Sequence, residues 1–221
     1  MSGPNRSTAV MQRRVEAHDS LDDFPTPPWA TRALCAFLIA EGFDLSGLCR
    51  EPAANRGHMV RPLGEYFAHV EASDIHDYGA GFAQGDYLFG AEPDPVDWTI
   101  TNPPFRLAEQ FIARACATSR EGCAFLVRAA FLEGVGRYQR LFSVNPPAVV
   151  LQFSERVVMH KGRLAPEGST ATAYAWLIWL SGFEGAPRMA WVPPCRKELE
   201  RDGDYPSEIV PAVKGDAGWL L

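Results

Sequence analysis

Apolar positions recur along this chain at two alternating periods. In residues 27–41 the apolar side chains Trp29, Ala33, Leu34, Phe37 and Leu38 fall three and four apart, which predicts an amphipathic helix. Thr26 is the expected N-cap, Pro27 sits in the first turn and Gly42 follows the end. Beyond it, short apolar runs predict strands over 47–51, 68–73, 97–101 and 123–129, with one more short strand beside Asp86. Helical patterns over 57–67 and 107–117 separate them. Strand and helix in alternation imply a mostly parallel α/β sheet with helices on both faces. The last third changes character: residues 148–153 and 171–180 are two apolar runs joined by a Gly- and Pro-containing loop without a helix, which predicts an antiparallel pair at a sheet edge. Residues 1–23 are polar and aperiodic and read as a flexible leader, 24–192 as a single domain, and 193–221 as a polar, Pro-broken surface tail.

Composition narrows the picture only a little. Of the 221 residues 47% are hydrophobic and 22% charged, the balance of an ordinary soluble domain, and 18 Pro with 19 Gly point to many loops. Cys35, Cys49, Cys116, Cys123 and Cys195 are odd in number and form no CxxC spacing, so neither a disulfide framework nor a metal site is expected. No apolar stretch approaches membrane-spanning length and no secretory pattern opens the chain, so no membrane partner and a cytoplasmic location are expected. The net charge of −6 argues against a surface coated for nucleic acid. Locally, however, Arg128, Arg137, Arg140, Arg156, Lys161 and Arg163 are opposed only by Glu133 and Glu155, a segment that either faces a polyanion or is a solvated charged face.

The densest chemistry lies in residues 97–105, DWTITNPPF. A strand ends there in a polar residue, two stiffening prolines and an aromatic ring, at the carboxyl edge where open α/β sheets hold their ligands. An exocyclic amino group conjugated to a ring is a poor nucleophile unless its protons are held by acceptors. The Asn102 side-chain oxygen and the Pro103 carbonyl offer two such acceptors, Pro104 stiffens the corner, and Phe105 offers a face on which a base can stack. The competing reading is a plain turn, and the chain carries its own control. Asn145, Pro146, Pro147 and Ala148 repeat the motif ahead of a strand and without an aromatic residue, so Asn145 is read as a turn residue.

Residues 51–59, EPAANRGHM, follow the first strand and enter a helix, where nucleotide-type cofactors meet a loop. Gly57 alone does not make a dinucleotide or triphosphate fingerprint. Glu51, followed by Pro52 and Ala53, places a carboxylate where a cofactor's ammonium group could pair with it, or where it simply caps the turn. Asp74 after the second strand suits ribose hydroxyls, and Asp86 after the third suits an adenine amino group.

In their order, FPTPPW at 24–29, EPAANRGHM at 51–59, SDI at 73–75, GDYL at 85–88 and NPPF at 102–105, the chain resembles the amino-group DNA methyltransferases. Within that family it is most similar to compact adenine-N6 enzymes of phage and restriction-modification systems, with a gamma-like motif order. The resemblance implies a Rossmann-like sheet of seven strands with the last antiparallel strand inserted beside the fifth, S-adenosyl-L-methionine as cofactor, and DNA as substrate. Thr26 would line the methionine end of the cofactor, Glu51 would lie near its amino group, Asp74 would hold the ribose and Asp86 the adenine, while Asn102–Phe105 would receive a flipped adenine. Asn55 stands where the family has a small residue or glycine, and no separate target-recognition domain is expected. An RNA base or a protein glutamine is the rival acceptor, and a non-catalytic nucleic-acid-binding scaffold is the rival class.

Overall fold

The computed structural model describes residues 22–168 and 170–205; the expected leader up to residue 21 and the tail beyond 205 lie outside the described residues. The chain runs α1 (Pro28–Ala40), β1 (Leu48–Glu51), α2 (Val60–Leu63), β2 (His69–Asp74), β3 (Ala83–Gln84), β4 (Val96–Thr101), α3 (Ala108–Thr118) and β5 (Ser119–Arg128). A string of short turns that includes α4 (Val135–Arg137) leads to β6 (Val149–Phe153), β7 (Tyr174–Leu180), β8 (Arg188–Val192) and α5 (Arg196–Leu199). The strands form one sheet in the order β3-β2-β1-β4-β5-β7-β6-β8. Strands β1 to β5 pair in parallel, and β7 is antiparallel to both β5 and β6. This is the Rossmann-like arrangement the motif order implies, extended by an eighth strand that pairs in parallel with β6.

Period-2 alternation explains how one sheet builds two cores. On β5, Ala124 and Leu126 face the α1 layer, while Cys123, Phe125 and Val127 face α3; on β7, Trp176 and Ile178 take the first side, Leu177 and Trp179 the second. Both faces are therefore apolar, which is why β7 reads as a continuous run, YAWLIWL, rather than an alternating one. Trp29, Trp98 and Trp176 are fully buried in the α1 layer, and each large apolar side chain so buried contributes about 1.5–3 kcal/mol.

Four local expectations change. Thr26 does not cap α1: no side chain does, and Pro28 opens the helix instead. Regular helix in the 57–67 segment is confined to Val60–Leu63, because Gly57 is in the left-handed region and Pro62 has no N–H to donate. Strand β8 was hidden because Met189 and Trp191 point to solvent and only Val192 of its five residues is buried, so its apolar positions do not share a face. It also displaces the β6–β7 pair from the sheet edge.

The ends of the described chain are tied to the core. Asp23, expected within the leader, is buried and accepts hydrogen bonds from Asn55 Nδ2 at 2.7 Å and Arg56 at 3.0 Å. At the other end Asp204 meets the buried Arg32 guanidinium at 2.6 Å, and Arg32 also pairs with Glu65 at 2.8 Å and donates to the Leu199 carbonyl at 2.7 Å. A buried guanidinium with two carboxylates and a carbonyl has its charge and its donors matched, which anchors the 199–204 segment against α1.

Candidate active site

The carboxyl ends of β1, β2 and β4 converge on a cavity of about 380 Å³, within the range of small-molecule sites. One wall is the loop after β1, with Pro52, Ala53, Asn55, His58 and Met59; another carries Asp74, Ile75, Tyr78 and Asp86. Phe24, Pro25, Thr26 and Asn102 close the third side, and Leu107 and Phe111 supply apolar surface. The sheet topology thus brings Thr26, Pro52, Ala53, Asp74, Asp86, Asn102 and Pro104 around one space. Glu51, Gly57, Pro103 and Phe105 stand just outside the lining.

Asn102 is the most informative side chain. Its Nδ2 donates to the Phe24 carbonyl at 2.9 Å and to Thr26 Oγ1 at 3.0 Å. A carbonyl oxygen only accepts, so the amide nitrogen must point toward Phe24, and the orientation of the group is fixed by chemistry. Its Oδ1 is left buried without a hydrogen-bond partner. Such an oxygen costs about 1–3 kcal/mol, a cost that a donor arriving in the cavity removes. The hydroxyl of Thr26 serves here as the acceptor that orients Asn102.

The loop after β1 takes its shape from three contacts. Asn55 has φ of 51°, the left-handed conformation that asparagine tolerates better than other non-glycine residues. Its N–H donates to Asp74 Oδ2 at 2.9 Å, and its side chain reaches Asp23. Asp74 accepts from the His76 N–H through its other oxygen, also at 2.9 Å, so each carboxylate oxygen retains accepting capacity toward the cavity. Asp86 accepts from the Leu88 N–H at 2.9 Å and is otherwise exposed. Gly57 has φ of 83°, and a Cβ there would lie 2.8 Å from the Phe82 ring. The glycine therefore lets the loop turn closely over β3's approach, without lining the cavity itself.

Glu51 lies beneath this loop rather than in it. It is fully buried, and its Oε1 accepts from Thr101 Oγ1 at 2.6 Å and from the Ala53 N–H at 2.9 Å, joining the ends of β1 and β4. Oε2 has no partner, and burial pushes the carboxyl up to about 8. In this position it acts as a neutral strut.

Two further polar lining residues, His58 and Asp22, have no role assigned from the sequence. His58 is buried with Nδ1 unpartnered, and burial together with Arg61 and Arg56 pushes its pKa down to about 4, so the ring faces the cavity uncharged. Its place in the loop after a cofactor-type strand was the available clue. Asp22 accepts the Phe105 N–H at 2.6 Å and also lines the cavity; its acidic context beside Asp19 and Asp23 gave no hint of this.

The basic segment divides. Arg137 donates to the Phe131 and Glu133 carbonyls, and Arg137 and Arg140 both pair with Glu109 on α3, so these two fasten the 129–142 turns to the core. Arg156 donates weakly to the Ala171 carbonyl at 3.3 Å, and the Arg163 backbone pairs with that of His160 in an isolated antiparallel bridge. Only Arg128 reaches the corner, where its guanidinium lies 4.0 Å from the centre of the Phe105 ring. Asn145 is remote from the cavity: its side chain meets Cys116 and its carbonyl accepts from Trp179, as a turn residue should. Among the described residues no group of three His, Cys, Asp or Glu is placed to hold a metal, and no helix is long and apolar enough to cross a membrane.

No protein-family model matches the chain, and no curated protein matches it in sequence. Solved structures share its fold. A Listeria monocytogenes protein described as a class I S-adenosylmethionine-dependent methyltransferase superimposes with a TM-score of 0.58 at 13% identity, over 79% of this chain and 67% of that one. An RNA methyltransferase from Pyrococcus horikoshii gives 0.53 at 17% identity, over 72% and 86%. The modification subunit of a type I restriction enzyme from Vibrio vulnificus gives 0.52 at 16% identity, over 79% of this chain but 48% of the subunit, so the chain spans about half of that protein's length. At these identities the likeness is one of fold: the chain has the Rossmann-like fold of S-adenosylmethionine-dependent methyltransferases.

Proposed function

We propose that this protein is an S-adenosyl-L-methionine-dependent methyltransferase that acts on the exocyclic N6 amino group of adenine in DNA. The observation that carries the reading is the Asn102 amide, locked through its nitrogen by Phe24 and Thr26 so that its oxygen is left buried and unpartnered in a residue that lines the cavity. An amino group is the donor that satisfies it. With a second bond to the Pro103 carbonyl, both protons of the target amine are held and the nitrogen lone pair is drawn out of conjugation.

The rest of the cavity fits the cofactor. Asp74 has accepting capacity for two ribose hydroxyls, Asp86 for an adenine amino group, and the apolar surfaces of Ile75, Leu107 and Phe111 suit a flat purine. His58, uncharged and with one nitrogen unsatisfied, gives the opposite wall a hydrogen-bonding group that needs no counter-ion. When bound, the cofactor supplies an electrophilic methyl group on a sulfonium. The amine would take that methyl directly, the carbon–sulfur bond breaking as the carbon–nitrogen bond forms and the amine proton passing to solvent, so the chain would need no nucleophile of its own, and no cysteine lines the cavity among the described residues. Phe105 supports the base by stacking. DNA is favoured over other acceptors by the motif order; among the fold neighbours a restriction-modification subunit and an RNA methyltransferase stand equally near.

Three measurements test this. At one hundred times its dissociation constant, the cofactor should stabilise the protein by about 2.7 kcal/mol, roughly 5–10 °C in Tm for a domain of this size; no shift would leave a scaffold without a cofactor. Incubation with methyl-labelled cofactor and separate DNA, RNA and protein acceptors should label DNA adenine. Label entering RNA alone would transfer the same chemistry to an RNA base. Phe105→Trp should retain more activity than Phe105→Ala, since either ring can stack, whereas equal activities would count against stacking.

A further inference from the structure

The face of Phe105 on which a base would stack already carries a planar group. The Arg128 guanidinium lies 4.0 Å from the Phe105 ring centre and 5.5 Å from that of Phe24, while the two rings stand side by side with centres 5.6 Å apart. Phe105 is half-buried, packs on the α1-side core and does not line the cofactor cavity, so its remaining face is the one Arg128 covers. Arg128 itself is exposed at the end of β5, and beyond the two rings its side chain also meets the Tyr174 hydroxyl, a contact it gives up on leaving the stack. We propose that Arg128 is a placeholder for the target base: it stacks on Phe105 in the free protein, yields that face to the incoming adenine, and then pairs with a neighbouring backbone phosphate. This rests on the reading of the site as a base-methylating one.

A base–aromatic stack is worth more than an exposed arginine–aromatic one, so displacement is downhill for any base that reaches the corner. The released guanidinium keeps a fixed fork of donors that suits a phosphate. Two opposed effects follow from one side chain. It competes with the base as a stacking group, and it attracts the strand as a charge.

The test uses the full chain and a short single-stranded, adenine-containing oligonucleotide in two forms, one with ordinary phosphodiester linkages and one with uncharged methylphosphonate linkages. For Arg128→Ala the KM for the uncharged form should fall by about 2–5-fold, because the competing stack is gone. The KM for the phosphodiester form should rise, and the slope of log KM against log salt should shrink by about 0.7. Arg128→Lys, which keeps the charge but not the planar stack, should show the first effect without the second. If Arg128→Ala raises KM on both forms by the same factor, or leaves the uncharged form unaffected, Arg128 is a fixed wall of the site and the placeholder is refuted. If the wild-type protein binds cofactor yet methylates neither form while labelling a protein acceptor, the nucleic-acid reading fails first and takes this inference with it.

Discussion

Asn102→Ala is expected to lower methyl transfer by about 10²–10³-fold, the loss typical of removing one preorganised group aimed at a transition state. Cofactor affinity should be nearly unaffected. The amide brings to the site an oxygen held in advance, and the oxygen anchors on its nitrogen, Phe24 and Thr26, come from the 22–26 segment, away from Asp74 and Asp86. Asn102→Asp should fare no better, although it keeps an oxygen in the same place. Its second oxygen would face the Phe24 carbonyl at the distance where Nδ2 now donates, so the side chain must either rotate or carry a proton there. Thr26→Val removes one anchor and leaves the carbonyl, and its loss should be smaller than that of Asn102→Ala. Single-turnover rates at saturating cofactor, with cofactor affinity measured separately by calorimetry, distinguish these cases. Retained turnover in Asn102→Ala, or a loss confined to cofactor binding, would remove the amide from the catalytic role.

Sequence patterning located this corner, but not what holds it. A strand ending in NPPF and a loop after β1 are local features, legible from period and from turn residues. The anchors are long-range. Thr26 was expected to cap the helix beside it, because capping is the commonest use of a threonine before a helix; the fold instead spends its hydroxyl on a residue 76 positions away. Asp22 and Asp23 looked like the end of a polar leader, since nothing within a few residues distinguishes a buried aspartate from a solvated one. Their partners, Phe105, Asn55 and Arg56, come from two other parts of the chain. The same reason hides the division of the basic residues. Arg137 and Arg140 look available for a polyanion until α3 brings Glu109 beside them. Alternation along β5 and β7 was legible because two-sided burial makes a long apolar run; β8 was not, because an edge strand shows its large side chains to water.

Glu51 yields the second large expected effect, a pH dependence of stability that one isosteric substitution abolishes. Its carboxyl is raised from an ordinary value of 4.5 to about 8 by burial, outweighing the bonds from Thr101 and Ala53 that favour the ionised form. A folded-state value above the unfolded one means that the folded protein holds a proton which the unfolded chain releases. The stabilisation is complete below about 4.5 and is lost progressively as pH rises to about 8. His58 titrates in the opposite sense: with its folded value near 4, stability is lost as pH falls below the ordinary 6.5. The two oppose each other in the acid range, so the clean window is pH 6.5 to 8, where Glu51 alone of the pair contributes and the loss amounts to about 2 kcal/mol. Glu51→Gln keeps an oxygen to accept from Thr101 and Ala53 and leaves the second atom unpartnered as before, but it has no proton to lose. Across this window the variant's denaturant midpoint should stay flat where the wild type's declines, making the variant the more stable protein at pH 8. Parallel curves would show that Glu51 is already ionised in the folded state across this window, and the picture of a neutral strut joining the ends of β1 and β4 would have to be given up.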